Sequence, residues 1–581
     1  MVILIGMGFQ PLKAQVPPEV VWQRCIGGSD IDYGFGVYQA RDGGVITVGY
    51  SRSADGDAAG SHGGDDILVT KLNADGTIQW SRALGGSSDD RAFNGLENLD
   101  GSIMVVGYTY SSDGDVTANH GGSDVWVVKL SPLGDMIWQH TYGGSDDDLL
   151  GQILGTPNGG FLIQASTFSG DGDVVGFHPG SGADNWMFKI DASGILQWSR
   201  AIGGSQHEGG GRMILTADGG ALVNFSYTAS SDGDVQNYHG DGDCLVAKLS
   251  AAGVLEWSRT IGGSQREQGS DIVELGNGDI MMLGSTASSD GDVPLNQGGN
   301  DVLLVKLDHT GAVIWVRTYG GSSNDDGASI VPTADGGLVL ACVSTSSDGD
   351  VPSNQGGADE WVFKVDANGT RLWQRCVGGS SSDFGFLIED VNGGYLLWGV
   401  TESNNGEAQG SHGGREFWLV RFSTDGEVRW HACLGGSNDE EIKSVVQTSD
   451  SGYVAFGFSH SDDGDVAGNH GQIDMWAVKL KAIEPAPPLE CILFIPSAFS
   501  PDNSTKNDAH CLYGTDCIAT MQLGIYDRWG NKVFASTDPN VCWDGTYNGQ
   551  PLDPAVFVYH LNATLSNGER VERQGNITLI R

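Results

Sequence analysis

One ten-residue pattern occurs eight times in this chain: VVWQRCIGGS, IQWSRALGGS, MIWQHTYGGS, LQWSRAIGGS, LEWSRTIGGS, VIWVRTYGGS, RLWQRCVGGS and VRWHACLGGS. The tryptophans are Trp22, Trp80, Trp138, Trp198, Trp257, Trp315, Trp373 and Trp430, each followed five residues on by Gly-Gly-Ser, at a period of 57 to 60 residues. Self-similarity at that length restricts the fold to a stacked or circular array, because each unit is one supersecondary block that cannot bury its apolar face alone.

Within one unit four short apolar runs alternate with turn signals, the rhythm of antiparallel sheet. In the second unit they are strand a around AFNGLENL (92–99), strand b at SIMVVGYT (102–109), strand c at DVWVVKL (124–130) and strand d at MIWQHTY (136–142). Strand c is nearly all apolar, as expected of a strand covered on both faces. The sequence opens on an isolated strand d (VVWQRC, 20–25), and its last repeat stops after strand c (MWAVKL, 475–480). The first strand therefore fits as the missing strand of the last unit. This complementarity predicts a closed ring, an all-β eight-bladed β-propeller over 15–481, in preference to a solenoid with capped ends.

In an up-and-down blade the d–a and b–c connections emerge on one face. The Gly-Gly-Ser loops thus share a face with eight longer loops, of which SSDGDVTANHGGSD (111–124) is typical; the others lie at 53–66, 169–184, 230–243, 288–301, 346–359, 403–416 and 461–474. Calcium needs six to eight oxygens. The candidate carboxylates are Asp55 and Asp57, Asp113, Asp115 and Asp124, Asp171 and Asp173, Asp232 and Asp234, Asp290 and Asp292, Asp348 and Asp350, and Asp463 and Asp465. Asp-Gly-Asp also forms turns in which the carboxylate accepts backbone N–H bonds without metal. The loops lack the full ligand spacing of an EF-hand, so the turn is the primary expectation and calcium the secondary one; no cofactor is required. The loop histidines His62, His120, His178, His239, His412 and His470 are replaced by Gln297 and Gln355 in copies five and six, which points to structural hydrogen bonding rather than metal ligation. Asp89 and Asp90, after one Gly-Gly-Ser, crowd the central channel if strand a is innermost; the other reading of these loops is a tight blade-to-blade crossover that needs glycine for close backbone approach.

The formal net charge of −43 disfavours nucleic acid and anionic lipid as partners. The start, MVILIGMGFQPLKAQ, reads as the end of a signal peptide cleaved after Ala14. No later segment approaches the roughly 20 apolar residues of a membrane span. Cys25, Cys376 and Cys433 follow the repeated Trp and, with Cys244 and Cys342, read as small buried fillers. Cys491, Cys511, Cys517 and Cys542 suit one or two disulfides in an exported domain; the pairing is open, with Cys511–Cys517 sterically easy.

KAIEPAPPLE marks a proline-rich linker at 482–490. Beyond it, IPSAFSPDNSTKND (495–508), IYDRWGNKVFAS (525–536), CWDGTYNGQPL (542–552), AVFVYHL (555–561) and GNITLIR (575–581) resemble, in family order, the gliding-motility-associated C-terminal domain, the type B sorting domain of the Bacteroidota type IX secretion system. The resemblance covers 491–581. It implies a small Ig-like β-sandwich, handling by the type IX machinery, and an extracellular or outer-membrane-surface location. Two departures stand out: Asp502-Asn503-Ser504-Thr505 replaces an N-G-D-G element, and Ala555-Val556-Phe557 a G-V-Y strand. Trp529 and Trp543 are expected to be core anchors. The repeats, as in KVDANGTRLWQRCVGG (364–379), resemble quinoprotein-like propellers, but no vicinal cysteine pair and no G-x-S-x-G, H-E-x-x-H or P-loop is present. The expected role is non-enzymatic binding or scaffolding of a surface glycan or protein; the alternative is a polysaccharide hydrolase or lyase using the acidic face.

Overall fold

The computed structural model describes residues 16–391, 393–482, 493–501, 508–513, 518–565 and 570–580. The expected signal segment 1–14, the linker from 483 on, Cys491, Cys517 and the Asp502–Thr505 departure lie outside them. The chain divides into two compact units, Met1–Ile483 and Glu484–Arg581.

The first unit is built of eight four-stranded antiparallel sheets. In sheet 1 the strands a to d are Asp32–Gln39, Val45–Ser51, Asp66–Leu72 and Ile78–Leu84. Sheets 2 to 7 repeat this order over 90–142, 148–202, 211–261, 267–319, 325–377 and 383–434. Sheet 8 takes Glu440–Gln447, Tyr453–Ser459 and Asp474–Leu480 from the end of the unit and Val20–Ile26 from its beginning as strand d. The expected complementarity of the two ends is thus realised, with Cys25 opposite Trp476 and Ile26 opposite Met475. In sheet 2 strands b, c and d lie within a residue of their predicted positions. Strand a starts two residues early, at Asp90, because an aspartate expected in an acidic loop is the first strand residue.

Apolar side chains fill the space between successive sheets. Ile46, Val48, Ile67 and Val69 of sheet 1 form one cluster with Ile103, Val105, Trp126 and Val128 of sheet 2. Val37, Val45, Leu68 and Leu72 of sheet 1 form another with Phe456, Met475 and Ile26 of sheet 8. Being covered on both sides is what makes strand c read as a continuous apolar run.

The repeated tryptophan ties neighbouring sheets together at the end opposite the long loops. Trp80 donates its indole N–H to the Pro132 carbonyl at 3.1 Å, in the c–d turn of sheet 2, and its ring lies where a side chain on Gly134 would stand, 2.8 Å from that glycine's missing Cβ. Gly134 has φ +81°, so glycine satisfies both the turn and the ring. Trp22 makes the same bond to Ala74 at 3.0 Å, from sheet 8 to sheet 1. Among the cysteine fillers, Cys25, Cys244 and Cys342 are buried, whereas Cys376 and Cys433 are half-buried.

The second unit centres on a five-stranded sheet ordered Ala498–Phe499, Arg570–Leu579, Ala555–Leu565, Ile518–Tyr526, Lys532–Ser536. The first pair is parallel and the rest antiparallel. Phe499, Ile525, Trp543, Phe557 and Ile577 form its main apolar cluster. Trp543 is the core anchor expected, but Trp529 is 77% exposed. Trp529 sits in the tight turn after Asp527, whose carboxylate accepts the Trp529 and Asn531 N–H groups, and this points its ring outward. Cys511 pairs with Cys542 rather than Cys517, because His510 and Trp543 bond backbone to backbone and bring the two cysteines alongside, Cα atoms 4.5 Å apart.

Replacing Ile26 with Ala should lower the unfolding free energy by about 2–5 kcal/mol. Val21→Ala, at a position 53% exposed, should change it by less than about 0.5 kcal/mol. Urea unfolding measures both; equal effects would mean that sheet 8 does not depend on its N-terminal strand.

Candidate functional site

The Gly-Gly-Ser crossovers and the long b–c loops meet on one face, and the meeting is the same in every repeat. In sheet 2 the carboxylate of Asp113 accepts the Ser87 N–H at 2.7 Å, and the Asp115 N–H donates to the Gly85 carbonyl at 2.8 Å. Asp55, Asp171, Asp232, Asp290, Asp348 and Asp463 hold Ser29, Ser145, Ser205, Ser264, Ser322 and Ser437 in the same way. In sheet 7 the acceptor is the amide oxygen of Asn405, on Ser380. A neutral acceptor serves equally, as the turn reading requires. The Ser87 N–H bond lowers the pKa of Asp113 below the usual aspartate range, and the equivalent N–H does so for Asp55, Asp232, Asp290, Asp348 and Asp463.

The second aspartate of each loop lies against the first crossover glycine and the adjacent sheet. Asp115, Asp173, Asp350 and Asp465 accept from Gly85, Gly143, Gly320 and Gly435 at 3.3 to 3.4 Å. Asp57 donates its N–H to the Gly27 carbonyl. Asp234 pairs with Arg200 at 2.9 Å, Asp292 with Arg259 at 3.6 Å and Asp350 also with Arg371 at 2.5 Å.

The loop histidine binds the first residue of its own strand c. His120, His178, His239 and His470 place Nδ1 2.6 to 2.9 Å from Asp124, Asp184, Asp243 and Asp474. In the glutamine copies the side chain reaches the next sheet instead: Gln297 Nε2 donates to Asp350 at 2.9 Å and Gln355 Nε2 to Glu407 at 3.1 Å. The three candidates Asp113, Asp115 and Asp124 therefore take separate partners, and the acidic neighbours of Asp124 are Asp148 and Asp173 of the following sheet. Among the described residues no group of three or more His, Cys, Asp or Glu side chains is arranged to hold a metal ion.

Sequence reasoning missed a second acidic layer beneath these loops. Strand c begins with Asp66, Asp124, Asp184, Asp243, Asp301, Asp359, Glu416 or Asp474, and the facing carboxylate in the next sheet is Asp90, Asp148, Glu208, Glu267, Asp325, Asp383, Glu440 or Asp32. All sixteen are fully buried. In the second member one oxygen takes two bonds: Asp90 Oδ2 accepts Gly86 N–H at 2.7 Å and Ser111 Oγ at 2.8 Å. Buried Oδ1 atoms without a partner occur in both members, at Asp66, Asp124, Asp184, Asp243, Asp301, Asp359 and Asp474 of the first and at Asp32, Asp90 and Asp148 of the second. The available signal was positional, an acid at the first residue of an otherwise apolar strand. Asp90 thus does not crowd the channel mouth, whereas Asp89 is half-exposed and pairs with Arg91 at 3.1 Å.

One feature of this face is unevenly distributed. A continuous run of rings, buried at Phe458 and exposed at Tyr110, crosses from sheet 8 over sheets 1 and 2: Phe458 to Tyr33 at 4.7 Å, Tyr33 to Tyr50 at 5.4 Å, Phe35 to Phe93 at 4.8 Å, Phe93 to Tyr108 at 5.8 Å and Tyr108 to Tyr110 at 5.9 Å. Arg91 lies over Tyr50 and Lys443 over Phe458. Other copies of the Tyr50 position carry Ser166, Tyr227, Ser285, Val343 and Val400, and Arg266 lies over Tyr227 as Arg91 lies over Tyr50.

Residues 493–579 match the CHU_C type IX secretion signal domain. The C-terminal unit is a type IX secretion signal domain. A protein carrying it is handled by the type IX machinery and exported to the cell surface or extracellular space. No helix among the described residues is long and apolar enough to cross a membrane. The chain is 29% identical over 192 residues to the regulatory protein FlaEY of Caulobacter vibrioides, covering 29% of this chain and 20% of that protein, so the match spans about a fifth of the relative's length. Similar solved structures include a europium-containing methanol dehydrogenase (10% identity, 80% of this chain and 93% of that one, TM-score 0.42). Another is PorZ, an essential bacterial surface component of the type IX secretion system of Porphyromonas gingivalis (14% identity, 96% and 60%, TM-score 0.35).

Gly85→Ala should cost about 1–3 kcal/mol, since its Cβ would fall 2.0 Å from Asp66 Oδ1 and 2.7 Å from Asp90 Oδ2. Gly276→Ala, with open space around it, should be near neutral. Thermal unfolding distinguishes them; a tolerated Gly85→Ala would show that the crossover is not closely packed against the two acids.

Proposed function

We propose that this is an exported binding protein whose repeat unit is a closed eight-bladed β-propeller and whose ligand is a glycan held on the aromatic arc of sheets 8, 1 and 2. Closure is supported by the recurrence between sheets 8 and 1 of the bonds that join other neighbours: Asp32 N–H donates to the Ile473 carbonyl at 2.8 Å as Asp90 N–H does to that of Asp65. The first strands of successive sheets are neighbours, Asp32–Gln39 lying against both Asp90–Glu97 and Glu440–Gln447. Strand a then lines the axis, and the second domain is read as an Ig-like sandwich that serves as the export address.

The arc carries the functional reading. A binding surface must differ from the scaffold that repeats around it, and here most polar loop residues make the same bonds in copy after copy, while the continuous run of rings spans three adjoining sheets. Flat aromatic faces bordered by Arg91, Asp89 and Lys443 offer apolar stacking with polar groups at the edge, the combination that a sugar ring with its C–H face and hydroxyl rim requires. Binding is favoured over hydrolysis or lysis of a polysaccharide because, among the described residues, the loop histidines pair with buried acids of their own strands instead of forming an acid–base pair at the surface.

A glycan array probed with the full chain should give discrete hits. Tyr110→Ala, at a ring 45% exposed, should weaken the best hit about 10-fold, ~1.4 kcal/mol, without changing the melting temperature. An array without hits, or affinity indifferent to Tyr110 and Tyr108, would remove the glycan reading and leave a protein ligand to be sought.

A further inference from the structure

The eight buried acid pairs are alike in position but not in environment, and the seam between sheets 6 and 7 is the most acidic. Asp359, the first residue of Asp359–Val365, and Asp383, the first of Asp383–Glu389, are both fully buried. A Cβ on Gly378 would stand 2.3 Å from Asp359 Oδ1 and 2.7 Å from Asp383 Oδ2, so the two carboxyl groups converge on one glycine. The charge of Asp383 disfavours ionisation of Asp359, and two buried carboxyl groups brought this close favour keeping a proton between them. At this seam alone a third acid follows: Glu360, where other copies of strand c have Ile67, Val125, Asn185, Cys244, Val302, Phe417 and Met475. Glu360 is fully buried, its Oε1 accepts the Gly385 N–H at 2.6 Å, and its Oε2 is buried without a partner, like Asp359 Oδ1.

No cation compensates these charges. The loop residue that is histidine in six copies is Gln355 here; its N–H binds Asp359 and its side chain turns to Glu407. Asp383 accepts from Gly379 N–H at 2.7 Å, Ser403 Oγ at 2.9 Å and Thr401 Oγ1. Among the described residues no Lys, Arg or His bonds to any of the three acids. The other titratable groups facing the seam are acids, Asp325, Asp326, Glu407 and Glu416, and the thiols of Cys342, Cys376 and Cys433. A divalent cation would need six or more oxygens, and no third side-chain ligand joins a pair here to make such a site.

We propose that the seam between sheets 6 and 7 is a proton-binding site, with one proton held between Asp359 and Asp383 at mildly acid pH and a second on Glu360 that is kept at neutral pH, and that losing these protons loosens the seam. Burial pushes Asp359 up to about 6 and Glu360 up to about 8, with neighbouring Asp383 adding to both. Because these values are raised by folding, the folded chain holds the protons more tightly than the unfolded chain does. The stabilisation is complete below the ordinary carboxyl range and is lost as the pH rises through about 6 and then about 8.

Asp359→Asn and Glu360→Gln keep an oxygen for the Gln355 and Gly385 N–H groups but cannot ionise. In the full chain each should melt close to the parent at pH 5 and clearly above it at pH 8, while Asp348→Asn shows no such alkaline gain. Infrared spectra should contain a protonated-carboxyl C=O band that weakens in both variants at pH 5 and in Glu360→Gln at pH 7, a readout that stands even if one variant folds poorly. Two results would overturn the proposal: a variant-to-parent difference independent of pH with an unchanged infrared band, or a rise in the parent's melting temperature on adding calcium that Asp359→Asn abolishes. The second would assign the seam to calcium instead of a proton.

Discussion

The repeat unit depends above all on a carboxylate accepting a backbone N–H. A four-stranded sheet of five- to eight-residue strands leaves two apolar faces open until neighbouring sheets cover them. What turns eight of them into one body is the register between neighbours, and that register is set where each loop aspartate holds the Gly-Gly-Ser crossover. The crossover must pass close to two buried acids, so its first residue has no side chain. Its second and third N–H groups are then available to carboxylates from strand a and from the loop. The tryptophan on a turn glycine does the corresponding work at the other end of the sheets, and the apolar clusters fill the interval between these two fastenings.

This arrangement explains why the loops look so much like ion-binding loops in the sequence. Carboxylates that organise backbone N–H groups need the same residues, Asp with Gly, as carboxylates that organise a metal. The two uses separate only when alternatives are compared, and Asn405 in the Asp113 position and Gln297 and Gln355 in the histidine position both preserve hydrogen bonding. The charge of the face is also partly internal, since many of the acids counted in the formal charge lie beneath the loops.

Much of the architecture was legible from the chain alone because periodicity reports it directly. The four strands per unit, the shared face of the two loop types and the completion of the last sheet by Val20–Ile26 all follow from where apolar runs begin and end. Three things were not legible. Asp90 and its equivalents read as loop because an acid at a strand end looks the same whether it is solvated or buried, and burial is set by the neighbouring sheet. Trp529 read as core because ring size suggests burial, whereas its place in the Asp527 turn directs it outward. The aromatic arc was invisible because Tyr33, Phe93 and Phe458 belong to three different repeats and come together only when the first and last sheets adjoin.

The strand that completes sheet 8 also imposes an order of events. Trp476 donates its indole N–H to the Gln23 side chain across a separation of 453 residues, whereas most contacts in the unit join segments within one or two repeats. Long-range pairing is slow because the loop it closes must be brought together before any contact rewards it. During synthesis the earliest-made strand is therefore the last to find its partner. Until the final repeat emerges, the apolar side of Val20–Ile26 and the open flank of sheet 1 stay uncovered, so the time the chain spends incomplete, rather than its final stability, is when it is most exposed to mispairing.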